Sequence, residues 1–287
     1  MKKKVAVIGA NGQLGTDICL GFKGTGARVI ELNHDDIEIS DIDSVEEAIN
    51  RIGSPDVMIN TAAMHHVGNC ENEPLKSFQV NGIGARNLAL VCVAHDILLV
   101  HISTDYVFDG EKNSPYIETD RPCPLNVYGN TKLSGEYFIE STAEKYYILR
   151  VSGIYGKKPC RAKGKNFVQT MLNLAREKKE IRVVDDETLT PTFTEDIASQ
   201  IVKLIGCNPE FGLYHMTAEG SCSWYEFARE IFSITKSDII LNRASPGEFA
   251  GNVRRPKYCV LENKHLNDLN LNIMSRWKDG LREYLKK

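Results

Sequence analysis

No apolar run in this 287-residue chain approaches the roughly 20 residues that a membrane-spanning helix needs. No Cys-x-x-Cys pair occurs among its eight cysteines (Cys19, Cys70, Cys92, Cys123, Cys160, Cys207, Cys222, Cys259). Scattered thiols without paired spacing argue against a disulfide framework or a zinc site and for small buried side chains. A basic excess is missing too. The 35 Lys and Arg face 38 Asp and Glu, for a net charge of -3, so no surplus cation is available to neutralise nucleic-acid phosphates or an anionic membrane. The opening stretch MKKKVAVIGA lacks the apolar core of a signal peptide. What remains is ordinary globular composition, 42% hydrophobic and 25% charged, enough to bury a sizeable core. The expectation is a soluble cytoplasmic protein with neither nucleic-acid nor membrane partners.

The first half alternates short apolar runs with amphipathic stretches, the pattern of βα repeats. Strands are expected at Val5–Ile8, Arg28–Leu32, Asp56–Asn60, Ile97–Ser103 and Tyr147–Val151. A helix is expected from Asn81 to His95, and Ser44-Val45-Glu46-Glu47 reads as a capping box opening another. Such alternation implies a parallel sheet covered on both faces. After residue 152 the rhythm breaks. A basic loop (157–165) is followed by helical periodicity around Phe167, Ile197, Trp224 and Trp277, with short strands at Ile181–Val184 and Gly212–Met216. The expected fold class is α/β. Residues 1–152 would form a Rossmann-type doubly wound parallel sheet binding NAD(P). Residues 153–287 would form mainly a smaller α/β substrate-binding lobe, returning some segments to the first.

Gly9-Ala10-Asn11-Gly12-Gln13-Leu14-Gly15 falls between the first strand and the first helix. Glycine permits a tight turn and close backbone approach, and free N–H groups at a helix start face a pyrophosphate. The tip of the second strand then meets the adenosine ribose, where an acid selects NAD and a basic residue accommodates the NADP phosphate. Here the segment is Glu31-Leu32-Asn33-His34-Asp35-Asp36. Asn33 stands at the discriminating position, which leaves NADH and NADPH both open with a lean toward NADH.

Among eleven tyrosines, only Tyr128 has a lysine four residues later, Lys132. Helical spacing puts both on one face, where an ammonium would favour phenolate and lower the tyrosine pKa from about 10. An isolated pair of this kind is more often a partly exposed aromatic beside a solvated lysine. This pair is preceded by Ile102-Ser103-Thr104-Asp105-Tyr106-Val107-Phe108-Asp109-Gly110, an apolar run ending in hydroxyls and a carboxylate. GANGQLG, ISTDYVFDG and PLNVYGNTKLSGE together resemble the extended short-chain dehydrogenase/reductases, and within them the dTDP-4-dehydrorhamnose reductase family. ILRVSGIYG, GKNFVQTML, PTFTEDIA, GLYHMTAEGSCSWYEFA and VRRPKYCVL extend the resemblance over essentially the whole chain.

The resemblance implies NAD(P)H-dependent reduction of the 4-keto group of a nucleotide-linked 6-deoxy sugar, dTDP-4-dehydro-L-rhamnose to dTDP-L-rhamnose. Tyr128 would protonate the ketone oxygen, Lys132 would bind the nicotinamide ribose and tune Tyr128, and Thr104 would hydrogen-bond the reacting oxygen beside Asp105. Gly9, Asn11, Gly12, Gln13 and Leu14 would cradle the pyrophosphate. Asn33, Glu38 and Ile39 would lie by the adenosine, and Ala62, Ala63 and Met64 would line the cofactor. Val67, Asn166 and Phe167 match substrate-side segments. Arg255 would hold the diphosphate through a bidentate guanidinium. Trp224 and Tyr225 fit a core stripe better than a base-stacking site. His65-His66 lacks acidic or cysteine partners at ligand spacing, so no metal is expected.

The chain departs from the family's pattern on the substrate side. Gly153 stands where the family commonly has tryptophan, Val67-Gly68 where it has ValAsp, and Asp186-Glu187-Thr188-Leu189 where it has AspGln-x-Gly. A void at Gly153 would be empty or filled by His65, His66 or the basic loop. Two alternatives follow from the resemblance: another nucleotide-sugar ketoreductase or epimerase of the superfamily, or a non-catalytic regulatory subunit like the methionine adenosyltransferase beta subunit. Oligomeric state is open, with a homodimer as the candidate assembly.

Overall fold

The computed structural model describes residues 2–159, 164–245, 248 and 251–286. Cys160 and the middle of the basic segment 157–165 lie outside them. The strands are β1 (Lys4–Ile8), β2 (Arg28–Leu32), β3 (Val57–Asn60), β4 (Leu98–Thr104), β5 (Tyr146–Val151), β6 (Ile154–Tyr155), β7 (Glu180–Val183), β8 (Thr188–Leu189), β9 (Thr192–Phe193), β10 (Gly212–His215), β11 (Cys222–Ser223) and β12 (Ile240–Arg243). The helices are α1 (Gln13–Gly24), α2 (Ile42–Ile52), α3 (Val67–Asn72), α4 (Pro74–Phe78), α5 (Gly84–Ala94), α6 (Val127–Thr142), α7 (Phe167–Glu177), α8 (Thr194–Cys207), α9 (Trp224–Thr235), α10 (Lys264–Asp268) and α11 (Trp277–Leu285).

Six strands form one parallel sheet in the order β10-β5-β4-β3-β1-β2. Side chains alternate across a strand, and β1 shows the consequence. Val5 and Val7 enter one core with Leu14 and Ile18 of α1 and Ile197 and Ile201 of α8. Ala6 and Ile8 enter the other, with Val45 of α2, Leu88 of α5 and Ile139 of α6. Both faces are therefore covered, which is why β1 and β3 read as nearly continuous apolar runs. The chain leaves β1 toward β2 on one side and continues from β3 on the other. This reversal opens a crevice at the strands' carboxyl ends, where the glycine turn and residues 61–64 sit.

A third core gathers Val168, Phe193, Phe227, Ile231, Trp277 and Leu281 and belongs to the later lobe. Helix α8 packs on α1, and β10 adds to the sheet beside β5.

Two local expectations need correction. The Ser44–Glu47 pattern does not open α2. Asp41 caps it by accepting from Asp43 N at 3.1 Å, while Ser44 Oγ accepts from Glu38 N at 2.9 Å. The helix expected from Asn81 begins earlier, at Pro74, and is interrupted by a π-helical turn over Gln79–Ile83 before α5. The wider turn coincides with cross-links made by Asn81, described below. No helix of the described residues is long and apolar enough to cross a membrane.

Candidate active site

The glycine turn stands as the sequence spacing requires. Gly9 has φ +76, and its N–H donates to Leu32 O of β2 at 2.8 Å. No side chain caps α1, which leaves the N–H groups at its start, on Gln13 and Leu14, available to an anion. Asn11 N donates to Asn33 Oδ1 at 3.1 Å, tying the turn to the end of β2. Arg51 of α2 reaches the same loop and donates to Asp36 O at 2.7 Å. Glu38 Oε1 accepts from Ser40 N and Oγ at 3.0 and 2.7 Å. Burial alone would raise its pKa, but these bonds hold it below the usual carboxylate value. Ile39 is a core residue: it is buried among the apolar residues of α2 and α5, in the space a side chain on Gly84 would need.

Ala62, Ala63 and Met64 follow β3 as a half-buried loop. Asn81 pins that loop in both directions, accepting from Met64 N at 2.9 Å and donating to Met64 O at 2.9 Å. It also donates to Thr131 Oγ1 of α6 at 3.0 Å. Asn81 was not legible as a site residue; the one local cue is an Asn-Gly step inside a helical run. Val67 is half-buried at the start of α3, which His66 caps through Nδ1 accepting from Asn69 N.

Helix α6 comes close because Gly135 has no side chain: a Cβ there would lie 2.5 Å from Asn81 O. That contact sets Tyr128 and Lys132 over the end of β4. Tyr128 is half-buried, edge-on to Tyr106 with centroids 5.9 Å apart. Burial pushes its phenol pKa up, against a hydrogen bond with Thr104 that lowers it. The depressed pKa expected from the lysine is not found. Lys132 turns instead to the sheet, donating to Ile102 O at 2.7 Å with His101 Nε2 2.9 Å away. Burial lowers the lysine's pKa to about 8.

Thr104 Oγ1 donates to Asp105 Oδ1 at 2.9 Å, and Ser152 Oγ donates to Asp105 Oδ2 at 2.7 Å. Burial raises Asp105 to about 6, against the pull of those two bonds. A proton donor, a hydroxyl that can receive or give a hydrogen bond, and a tunable carboxylate thus converge at one strand end.

Beside them lies a cleft lined by Asp105, Tyr106, Gly153, Glu187, Leu189 and Trp224. Trp224 packs at a tilt against Phe167, centroids 4.5 Å apart, and donates from Nε1 to Glu187 Oε2 at 3.2 Å, so it serves both core and cleft. Gly153 has φ +53, and a Cβ there would lie 2.7 Å from Leu189 Cδ1. Leu189 is what fills the expected void; among the described residues neither His65, His66 nor the basic loop comes as near. Arg255 Nη1 is 3.9 Å from Glu187 Oε1, and its Nε is buried without a partner. Asn166 caps α7 and donates to Gly156 O at 2.7 Å and Gln13 Oε1 at 3.2 Å. Gln13 Oε1 also accepts from Gly156 N at 3.0 Å, so Asn166 and Gln13 lash the two lobes together. Among the described residues no three His, Cys, Asp or Glu side chains gather as a metal site, and the seven described cysteines are free.

Parallel sheet, glycine turn, strand-end threonine and the tyrosine–lysine helix together define an extended short-chain dehydrogenase/reductase. The family described as RmlD substrate binding domain matches residues 3–287. Spore coat polysaccharide biosynthesis protein SpsK of Bacillus subtilis (strain 168) is 39% identical over 99% of this chain and 97% of its own. The crystal structure of a dTDP-4-dehydrorhamnose reductase from Clostridium acetobutylicum superposes with TM-score 0.93 at 40% identity, covering 100% of this chain and 99% of that one. The dTDP-4-dehydrorhamnose reductase of Bacillus anthracis, solved in complex with NADP, gives TM-score 0.94 at 36% identity, covering 100% and 99%. The chain belongs to the dTDP-4-dehydrorhamnose reductase family.

Proposed function

We propose that this protein is an NAD(P)H-dependent oxidoreductase that reduces the 4-keto group of a nucleotide-linked 6-deoxy sugar, dTDP-4-dehydro-L-rhamnose to dTDP-L-rhamnose. The carrying observation is the cluster of Tyr128, Thr104 and Asp105 at the end of β4, opening on a cleft with Arg255 and Glu187 at its side. The crevice fits a dinucleotide: the uncapped start of α1 offers backbone N–H groups to a pyrophosphate, and Ala62–Met64 form the facing wall. When bound, the reduced nicotinamide supplies the hydride equivalent.

The chain's own residues do the rest. Tyr128, protonated at working pH because burial raises its pKa, gives its O–H proton to the ketone oxygen and is reprotonated from solvent. Thr104, its oxygen already accepting from Tyr106 N at 3.2 Å, turns its proton from Asp105 toward the substrate oxygen. Lys132 offers its remaining donors to the cofactor ribose. Arg255, with a free buried N–H, binds the diphosphate, and Leu189 and Trp224 wall the sugar.

Asn33 is engaged by the turn while Arg51 brings a guanidinium to the same loop, so both NADH and NADPH are carried in the proposal. The test is direct. Purified protein is mixed with either reduced cofactor and a panel of 4-keto nucleotide sugars, and cofactor absorbance is followed. Consumption of one equivalent per sugar supports the proposal; cofactor binding without consumption on any sugar overturns it. A cytoplasmic location and a homodimer belong to the same proposal, the second supported by an apolar groove with Phe78, Ile83 and Tyr137 exposed; sedimentation velocity reads it.

A further inference from the structure

Lys132 ends a buried chain that the reaction just described does not use. Asn60 closes β3, and His101 is its register partner on β4. Asn60 Nδ2 lies 3.1 Å from His101 Nδ1, and His101 Nε2 lies 2.9 Å from Lys132 Nζ. All three side chains are at most 2% exposed, so bulk solvent does not reach them.

The donors and acceptors of this chain can be assigned. Ala62 N donates to Asn60 Oδ1 at 3.0 Å. A backbone N–H needs an acceptor, so the carboxamide oxygen faces Ala62 and the NH2 faces His101. His101 is neutral, since burial and then the lysine charge hold its pKa well below the usual histidine value. A neutral imidazole carries one proton. With an NH2 pointing at Nδ1, that proton sits on Nε2 and points at Lys132. Nζ then accepts, which only the free amine can do. An ammonium demands the opposite: Nε2 must accept, the proton moves to Nδ1, the Asn60 amide must turn over, and Ala62 N–H loses its acceptor.

We propose that Asn60 and His101 are positioning residues that couple the charge of Lys132, through the tautomer of His101 and the orientation of the Asn60 amide, to the Ala62 backbone of the cofactor loop. This rests on the reductase reading of Lys132 but is separable from it. Charged and titratable groups around the lysine are few. Glu136 of α6 favours the ammonium, but its carboxylate is bound by Arg150 of β5 and Ser103 of β4. Tyr128 on α6, Asp105 after β4 and Cys70 on α3 lie around the tyrosine end. Toward His101, β5 presents Ile148 as its register partner, which does not titrate.

The coupling predicts a reaction to one isosteric change. In Asn60→Asp both carboxylate oxygens accept, one from Ala62 N–H and one from His101 Nδ1–H, so Nε2 is free to accept from the ammonium. Nitrogen-15 spectra of histidine-labelled protein, assigned by comparison with His101→Gln, read the tautomer without any turnover. In the parent protein the ring should carry its proton on Nε2 above the lysine titration and on Nδ1 below it, while staying neutral. In Asn60→Asp it should stay on Nδ1 throughout, and the alkaline limb of the kcat/KM profile should rise by at least one pH unit. A parent ring that keeps one tautomer across the titration overturns the coupling, even if Asn60→Asp does not fold. A tautomer that switches while the alkaline limb of Asn60→Asp stays put overturns its link to turnover. Loss of activity in Tyr128→Phe bears on the reductase reading alone.

Discussion

Leu189 occupies the space that a side chain at Gly153 would need, with its Cδ1 2.7 Å from where a Cβ would stand. The cleft wall expected from a large residue at the first position is built here from the second. Gly153→Trp is therefore expected to lose stability on two counts. A left-handed φ on a non-glycine residue costs about 1–2 kcal/mol, and overpacking costs about 1–3 kcal/mol more. Adding Leu189→Gly should recover only the overpacking part, as read from denaturation midpoints. Parental stability and an unchanged substrate panel in Gly153→Trp would show that the two residues do not share a wall.

Tyr128→Phe keeps the ring and its edge contact with Tyr106 but removes the proton. Positioned acids contribute ~10²- to 10⁴-fold, so kcat should fall by that factor with cofactor Kd nearly unchanged. A variant retaining more than about a tenth of parental kcat would mean that another group protonates the oxygen.

The sheet was legible because β1, β3, β4 and β5 are largely buried and their apolar residues fall in short runs, and the turn because glycine is forced at Gly9 by φ +76. Tyr128 and Lys132 were legible because their contact is local, one helical turn apart. Asn60, Asn81 and His101 were not, since each acts on a partner that the fold alone brings near: Asn81 lies 17 residues from Met64 and 50 from Thr131. The depressed tyrosine pKa failed for the same reason, because the spacing of two residues says nothing of His101, which draws the lysine away. Trp224 shows a different limit: an apolar stripe marks a buried face, but not that its edge also lines a cleft.

Asp105 gives a pH signature. Its folded pKa of about 6 lies above the ordinary 3.8, so between those values the folded protein holds more protons than the unfolded chain. Stability should fall as pH rises through that window, and the penalty should persist above it. Asp105→Asn removes this titration: its stability should fall less than the parent's as pH rises from about 4 to 7 in urea melts, and an acid limb of kcat/KM near 6 in the parent should be absent from the variant. An acid limb retained in the variant assigns that limb to another group.

Arg255 keeps a buried Nε without a partner and a distant carboxylate on Glu187. Hydrogen bonds to charged groups are worth about 1.5–3 kcal/mol, so Arg255→Ala should raise KM for the nucleotide sugar by roughly 10- to 100-fold. Cofactor Kd should not move. Equal KM values in parent and variant would place the diphosphate elsewhere.

Behind the site, Arg150 and Glu136 form a bidentate pair, Nη2 to Oε2 at 2.6 Å and Nε to Oε1 at 3.0 Å, with side chains 3% and 1% exposed. Glu136 also accepts from Ser103, the residue before Thr104, so the pair braces the strand end that carries the hydroxyls. Arg150 Nη1 has no partner, which means the guanidinium already has one unmet donor. Glu136→Gln would leave its charge uncompensated in the interior, and breaking a buried pair from one side costs about 3–5 kcal/mol. Replacing both partners by apolar residues of similar volume is often neutral. Glu136→Leu with Arg150→Met should therefore be more stable in urea than Glu136→Gln alone, a coupling measurable as a double-mutant cycle. If the pair served stability only, that double variant would keep full activity. Because Glu136 braces Ser103 and favours the ammonium of Lys132, the double variant should refold yet lose kcat, with the alkaline limb of its profile moved down.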